Sequence, residues 1–108
     1  MTVEELMRAA DWKALCLPDP ERVVCGAYCG DLLSWVMGRA KSGNVWITIM
    51  SNMNTVAVAS LADVSCIVLA EGVEPDADML ETAKKQGVNL LSSEQDAFCV
   101  AVTVGKLL

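Results

Sequence analysis

Val45-Trp-Ile-Thr-Ile-Met50 is followed by the polar turn Ser51-Asn-Met-Asn54, by the alanine- and valine-rich run Thr55–Asp63, and by Ser65-Cys-Ile-Val-Leu-Ala70. The first and last segments are short and almost continuously apolar. Strands read this way when both of their faces are covered. Thr55–Asp63 lies between them with the length of a short buried helix. Strand, helix, strand with short links predicts two parallel strands joined by a right-handed crossover.

The same alternation extends both ways. Downstream, Glu71-Gly-Val-Glu-Pro75 is a loop, and Pro75 suits the first turn of a helix that Asp76 and Asp78 complement electrostatically. Met79, Leu80 and Ala83 face inward there, and Gly87 ends it. Val88–Leu91 predicts another buried strand. Ser92 and Gln95 have capping-box spacing ahead of a helix over Glu94–Val104. Upstream, the apolar segment Arg22–Tyr28 predicts a strand, and Asp31 a cap for a helix ending near Lys41. From Arg22 onward the order is strand then helix, four times over. Ahead of it, Thr2 and Glu5 form a capping box for a helix over Val3–Ala10, Lys13–Leu17 is a brief strand, and Pro18-Asp19-Pro20 is a turn. The expectation is a single three-layer α/β domain over residues 1–108 with a mostly parallel sheet. Residues 1–20 supply the N-terminal helix and short strand, and residues 21–108 the repeated strand-helix units.

Composition narrows the function. Of 108 residues, 14 are acidic, 8 basic and none histidine, for a net charge of −6. Such a chain lacks the basic footprint of a binder of nucleic acid or of an anionic membrane. Imidazole-dependent catalysis and Cys₂His₂ zinc sites are excluded. No apolar run reaches the roughly 20 residues that span a bilayer. The N-terminal stretch has acids where a signal peptide needs basic residues, so a cytoplasmic location is expected. The apolar share of 54% is slightly above the usual ~45–50%, which suggests a subunit interface and hence a homodimer.

Five cysteines are scattered through the chain. Cys16, Cys66 and Cys99 lie in apolar runs and are expected to be buried thiols. Cys25-x-x-x-Cys29 raises a metal or redox alternative. In an extended strand its two sulfurs stand about 13 Å apart, so sharing an ion needs a bend at Gly26 or Gly30. Trp35 and Trp46 sit inside apolar segments and are expected in the core.

Small polar residues gather after successive strands: Tyr28, Gly30 and Asp31; Ser51, Asn52 and Asn54; Glu71 and Gly72; Ser92 and Ser93. Ligands of open parallel sheets bind at the carboxyl ends of the strands, where helix N-termini converge. These ten residues are therefore the candidate ligand-binding set. Tyr28 could stack on a ring, amides near Asp31 and Asn54 could meet an anionic group, and Asn52, Ser92 and Ser93 could orient a ligand. The same residue types cap helices in any α/β domain, so a purely structural role stands beside the binding one. No nucleophile lies beside an evident base, no P-loop or dinucleotide fingerprint is present, and no cofactor is expected.

Gly26-Ala-Tyr-Cys-Gly-Asp-Leu-Leu-Ser-Trp-Val-Met37, Val45-Trp-Ile-Thr-Ile49, Val56-Ala-Val-Ala-Ser-Leu61, Cys66-Ile-Val-Leu-Ala-Glu-Gly72 and the Pro75-Asp helix together resemble the DRTGG domain family. It looks like the small stand-alone members, which resemble the N-terminal domain of HPr serine kinase without its kinase domain. The resemblance implies a mostly parallel α/β fold, a dimer, and a regulatory role. Elsewhere the family is joined to CBS domains, and stand-alone members are associated with iron-only hydrogenase and related redox subunits. The family's Asp-Arg-Thr block falls here at Ser51-Asn52-Met53-Asn54-Thr55, and its Gly-Gly pair at Glu71-Gly72. An Arg would clamp a phosphate by charge, which Asn52 does not do; Asp31 and Glu71 further disfavour a polyphosphate. The resulting expectation is a non-catalytic regulatory or ligand-sensing domain, taking a nucleotide or other small ligand at the strand ends and serving a redox, hydrogenase-type enzyme. The alternatives are a docking module without a ligand and a cysteine-based metal or redox role.

Overall fold

The computed structural model describes residues 1–108. The elements, in chain order, are α1 (Val3–Ala10), β1 (Lys13–Cys16), β2 (Ala27–Cys29), α2 (Leu33–Arg39), β3 (Val45–Thr48), α3 (Met53–Ala62), β4 (Cys66–Leu69), α4 (Ala77–Gln86), β5 (Leu90–Ser92) and α5 (Ala97–Leu107). One five-stranded sheet runs in the order β1-β5-β4-β3-β2. Strands β2 to β5 are parallel, and β1 closes the β5 edge antiparallel. This is the expected three-layer, mostly parallel α/β fold.

Every residue of β3 and β4 is buried. Trp46, Ile67, Leu69 and Leu90 pack on one side against Val36 of α2, Val56 and Ala59 of α3, and Met79 and Ala83 of α4. Val45, Ile47, Cys66, Val68 and Leu91 pack on the other side against Val3 and Leu6 of α1 and Val100 and Val104 of α5. Three crossover helices thus lie on one face, and the first and last helices on the other.

Buried asparagines tie the amino ends of the strands together. Asn89 Nδ2 donates to the carbonyls of Asp19 (2.7 Å) and Ser65 (3.0 Å), while its Oδ1 accepts from Asp19 N at 2.9 Å. Asn44 Nδ2 donates to the Cys25 carbonyl at 2.6 Å, and Asn44 Oδ1 accepts from Lys41 N at 2.9 Å.

The structure corrects several local readings. The strand expected over Arg22–Tyr28 is confined to Ala27–Cys29. Gly26 adopts φ +72°, which breaks the extension, and Arg22–Val24 instead runs beside the N-terminus through Val3 N–Arg22 O and Val24 N–Met1 O bonds of 2.9 and 2.8 Å. Asp31 does not cap α2; Leu32 holds that position with no side-chain cap, because the Asp31 carboxylate turns to β3. Pro75 precedes α4 rather than opening it, and Asp76 is its N-cap. The Ser92/Gln95 capping box is absent: α5 begins at Ala97, capped by Asp96, whose carboxylate accepts from Cys99 N at 2.8 Å. Cys99 and Trp35 are exposed, not buried, because α5 and α2 are outer-layer helices that each turn only one stripe inward.

Asn89→Ala removes three hydrogen bonds and leaves buried partners unmatched. It is expected to lower stability by about 2–3 kcal/mol and the thermal midpoint by on the order of 10 °C. An unchanged midpoint would remove this network from the determinants of the fold.

Candidate functional site

The ten candidate residues do gather at the carboxyl ends of the strands, but in two separate groups. The first surrounds β2 and β3. The Gly30 carbonyl accepts from the indole N–H of buried Trp46 at 2.9 Å. Asp31 Oδ1 accepts from Thr48 Oγ1 at 2.8 Å and from Ile49 N at 2.9 Å. Asn52 caps α3 by accepting from Asn54 N at 2.9 Å, and Thr55 Oγ1 donates to the Met50 carbonyl at 2.9 Å. A Cβ on Gly30 would stand 3.0 Å from the Tyr28 ring. Gly30 and Asp31 join the β2–α2 loop to β3, and Asn52 and Thr55 close the start of α3. None of the three surface clefts is lined by Tyr28, Gly30, Asp31, Ser51, Asn52 or Asn54.

The second group surrounds β4 and β5. Strand β4 leads into α4 on one face of the sheet, and β5 leads into α5 on the other, so their loops part at a reversal of topology. In open parallel sheets this is the favoured place for a ligand. Glu71 N donates to Gln95 O at 2.8 Å and Gly72 N to Ser93 O at 3.0 Å, closing the base of the crevice. Ser93 Oγ accepts from Gln95 N at 3.1 Å. A shallow cleft of about 370 Å³ lies beside these loops, lined by Ala10, Asp11, Trp12, Lys13 and Ser92–Gln95. A smaller one of about 60 Å³ adjoins it, bounded by Lys13, Leu15, Gly72–Pro75 and Ser92–Glu94.

Trp12, Lys13, Glu94 and Gln95 escape sequence reasoning. They join the site because β1 pairs antiparallel with β5, setting Lys13 opposite Ser92. The Lys13–Leu17 strand is readable in the sequence, but its partner is not.

Glu71 and Gly72 have φ of +65° and +67°. Two successive left-handed residues are a backbone that glycine adopts without strain, which gives a physical reason for a Gly-Gly pair at this place. Glu71 accepts the strained conformation, and its carboxylate receives the Ala97 N–H at 3.1 Å. With Asp96 on Cys99 N, the N-terminus of α5 is thereby occupied by the chain's own carboxylates. The Asp96 carboxyl is held below its ordinary range by the bonds it accepts from Cys99. A Cβ on Gly72 would come within 2.7 Å of the Glu94 carboxylate.

The cysteines do not converge. No three His, Cys, Asp or Glu side chains form a group able to hold a metal ion. Gly26 does bend the chain between Cys25 and Cys29, and both thiols are exposed. Partial desolvation, with the nearby Asp31 charge, pushes the Cys29 thiol up from its ordinary range, and full burial pushes Cys66 up to about 12. The carboxylate of Asp96 does the same to Cys99. These shifts oppose thiolate chemistry.

Residues 21–107 match the DRTGG domain, and the chain belongs to the DRTGG domain family. No curated protein sequence matches it. Among solved structures, the fold is similar to that of the CBS and DRTGG domains of the regulatory region of Clostridium perfringens pyrophosphatase, complexed with its activator diadenosine tetraphosphate. The TM-score is 0.72 at 17% identity, over 95% of this chain and 45% of that one, so this chain spans just under half of the matched length. No helix is long and apolar enough to cross a membrane.

Glu71→Gly and Glu71→Ala both remove the carboxylate from Ala97 N, but only glycine relieves the left-handed strain. The glycine variant is expected to be the more stable of the two by about 1 kcal/mol. Equal midpoints in thermal unfolding would show that position 71 carries no strain.

Proposed function

We propose that this chain is a non-catalytic regulatory domain that binds a small ligand at the carboxyl end of β5, in the cleft its loop shares with the start of β1, and conveys its occupancy to an enzyme partner. The observation that carries this reading is the open cleft between Ser92–Gln95 and Ala10–Lys13, beside the reversal of topology at β5. Membership of the DRTGG family and the likeness to a pyrophosphatase regulatory region support a regulatory role. The activator in that complex favours nucleotides as the first ligands to test. Glu71 and Asp96, which fill the α5 N-terminus, favour one of low negative charge or one bridged by a cation. Of the ten candidates, Gly72, Ser92 and Ser93 line the clefts here, and Glu71 braces the adjoining start of α5. Gly30, Asp31 and Asn52 are engaged in bonds that fix the neighbouring loops, and Tyr28, Ser51 and Asn54 line no cleft. A redox enzyme of the hydrogenase type is the partner that the resemblance of the sequence implies.

Self-association is the second reading. Leu32, Trp35, Ile49, Met53 and Leu61 are exposed on the α2–α3 side, and Trp35 is 52% exposed although Arg39 covers its ring at 3.8 Å. Apolar side chains in that number suit a subunit interface better than solvent.

A ligand at about 100 times its dissociation constant stabilises its site by about 2.7 kcal/mol, a shift of several degrees. A saturable shift with an adenine or guanine nucleotide or another small metabolite, abolished by Ser92→Lys, is the expected result. A flat panel for both classes would overturn ligand sensing and leave docking. In light scattering the chain is expected to have the mass of a dimer and Trp35→Glu that of a monomer; a monomeric parent would dismiss the interface.

A further inference from the structure

The two edges of the sheet differ in how they are protected. Strand β1 presents Lys13 to solvent, and its ladder to β5 is interrupted by a register shift between Ala14 and Cys16. Charged residues and irregular ladders are how natural sheets keep an edge from pairing with another chain. Strand β2, at the other edge, has neither. Ala27-Tyr28-Cys29 carries no charge and no proline, its register with β3 is continuous, and Ala27 and Cys29 are exposed.

The ladder shows which backbone groups are free. Val45 N donates to the Gly26 carbonyl at 3.0 Å, and Gly30 N donates to the Ile47 carbonyl at 3.2 Å. Successive residues of a strand turn their N–H and C=O groups to opposite edges, so Gly26, Tyr28 and Gly30 bond with β3. Ala27 and Cys29 turn theirs outward, and none of the chain's turn or loop bonds takes them.

This edge is complementary to itself. In an antiparallel pair of β2 strands with a two-fold axis at Tyr28, Ala27 stands opposite Cys29 of the second copy, and every outward N–H and C=O finds a partner. Tyr28 stands opposite its own counterpart, a favourable aromatic pair. Antiparallel pairing also brings the carboxyl end of one β2 to the amino end of the other. Asp31 lies at the carboxyl end. At the amino end lie Arg39, in the last turn of α2, and Lys41, in the turn tied to this strand by the Cys25 N–Gly43 O bond of 2.8 Å. An acidic end thus meets a basic end on both sides of the axis, which favours a second copy in this orientation. A stable pair buries about 800 Å² on each copy, more than three strand residues offer. The exposed Leu32 and Trp35, at the start of the helix that crosses from β2 to β3, supply further apolar surface on this side of the sheet.

We propose that two copies of this chain join edge to edge, β2 against β2 in antiparallel, so that their sheets become one. The proposal rests on the self-association reading above and names the surface that performs it.

Disulfide trapping on the intact chain is the test. Residues opposed in a hydrogen-bonded antiparallel pair stand about 5.5 Å apart between Cα atoms, within the reach of a disulfide. Ala27→Cys therefore sets a thiol opposite Cys29 of the second copy. Cys25→Ser and Cys99→Ser remove the other exposed thiols. With diamide as oxidant, Ala27→Cys in this background is expected to run mainly as a covalent dimer, and adding Cys29→Ser is expected to abolish it. Should Ala27→Cys fail to fold, amide exchange of the unmodified chain decides. The Ala27 and Cys29 N–H groups are expected to slow at least tenfold as the protein is concentrated from monomer to dimer. Light scattering of the parent separates the failures. A dimeric parent without the crosslink, its folded variant being dimeric too, would show that the copies join elsewhere and overturn the edge pairing alone. A monomeric parent would overturn both the edge pairing and self-association.

Discussion

The handedness of the crossovers is the constraint on which this architecture depends. Strands β2, β3, β4 and β5 lie side by side in chain order. Each right-handed connection that steps in the same direction places its helix on the same face. The three crossover helices α2, α3 and α4 therefore cover one face and none of the other. Because β3 and β4 are apolar on both sides, the second face must be covered by what remains, the two ends of the chain. Helices α1 and α5 do so, and α5 can reach that face only by turning the opposite way from α4. The crevice between β4 and β5 follows from covering a sheet whose strands advance in one direction.

The loops at the carboxyl ends show how capping competes with binding. Thr48 and the Ile49 amide take the Asp31 carboxylate, Asn52 satisfies the start of α3, and Glu71 and Asp96 together satisfy the start of α5. A helix start attracts anions through unpaired N–H groups, and here the chain brings its own carboxylates and amides to most of them. Asn52 and Glu71 fall where the resemblance puts the family's Asp-Arg and Gly-Gly blocks. An asparagine brings no cation and a glutamate brings an anion, and neither favours phosphate. The buried indole N–H of Trp12, in contrast, has no partner within the chain.

The sheet was legible in the sequence wherever burial is two-sided. Val45–Thr48 and Cys66–Leu69 have no polar face, which only a covered strand tolerates. The Arg22–Tyr28 segment looks alike in composition, but its apolar residues Val23 and Val24 serve the N-terminal segment, and Gly26 stops the extension. Caps were legible only where one residue was eligible. Around α5, Ser92, Ser93 and Asp96 are all suitable, and local spacing does not choose among them. The site was half legible: Glu71, Gly72, Ser92 and Ser93 follow from the rule for parallel sheets. Trp12 and Lys13 do not, because a long-range antiparallel pairing brings them there.

That pairing also bears on how occupancy could be felt elsewhere. Strand β1 joins the sheet through β5 alone, and its register shifts between Ala14 and Cys16. An edge strand with one neighbour and an interrupted ladder is among the elements that open most easily in local fluctuations. Asp11, Trp12 and Lys13 lie at the start of this strand, while Ser92–Gln95 lie on the loop into α5. A ligand gripping both sides would close the seam between the first and last elements of the chain. It would raise the free energy of opening β1 while leaving the parallel strands as they are. A partner that recognises the outer edge of β1 would then sense occupancy as the ordering of one strand, with no larger change in shape.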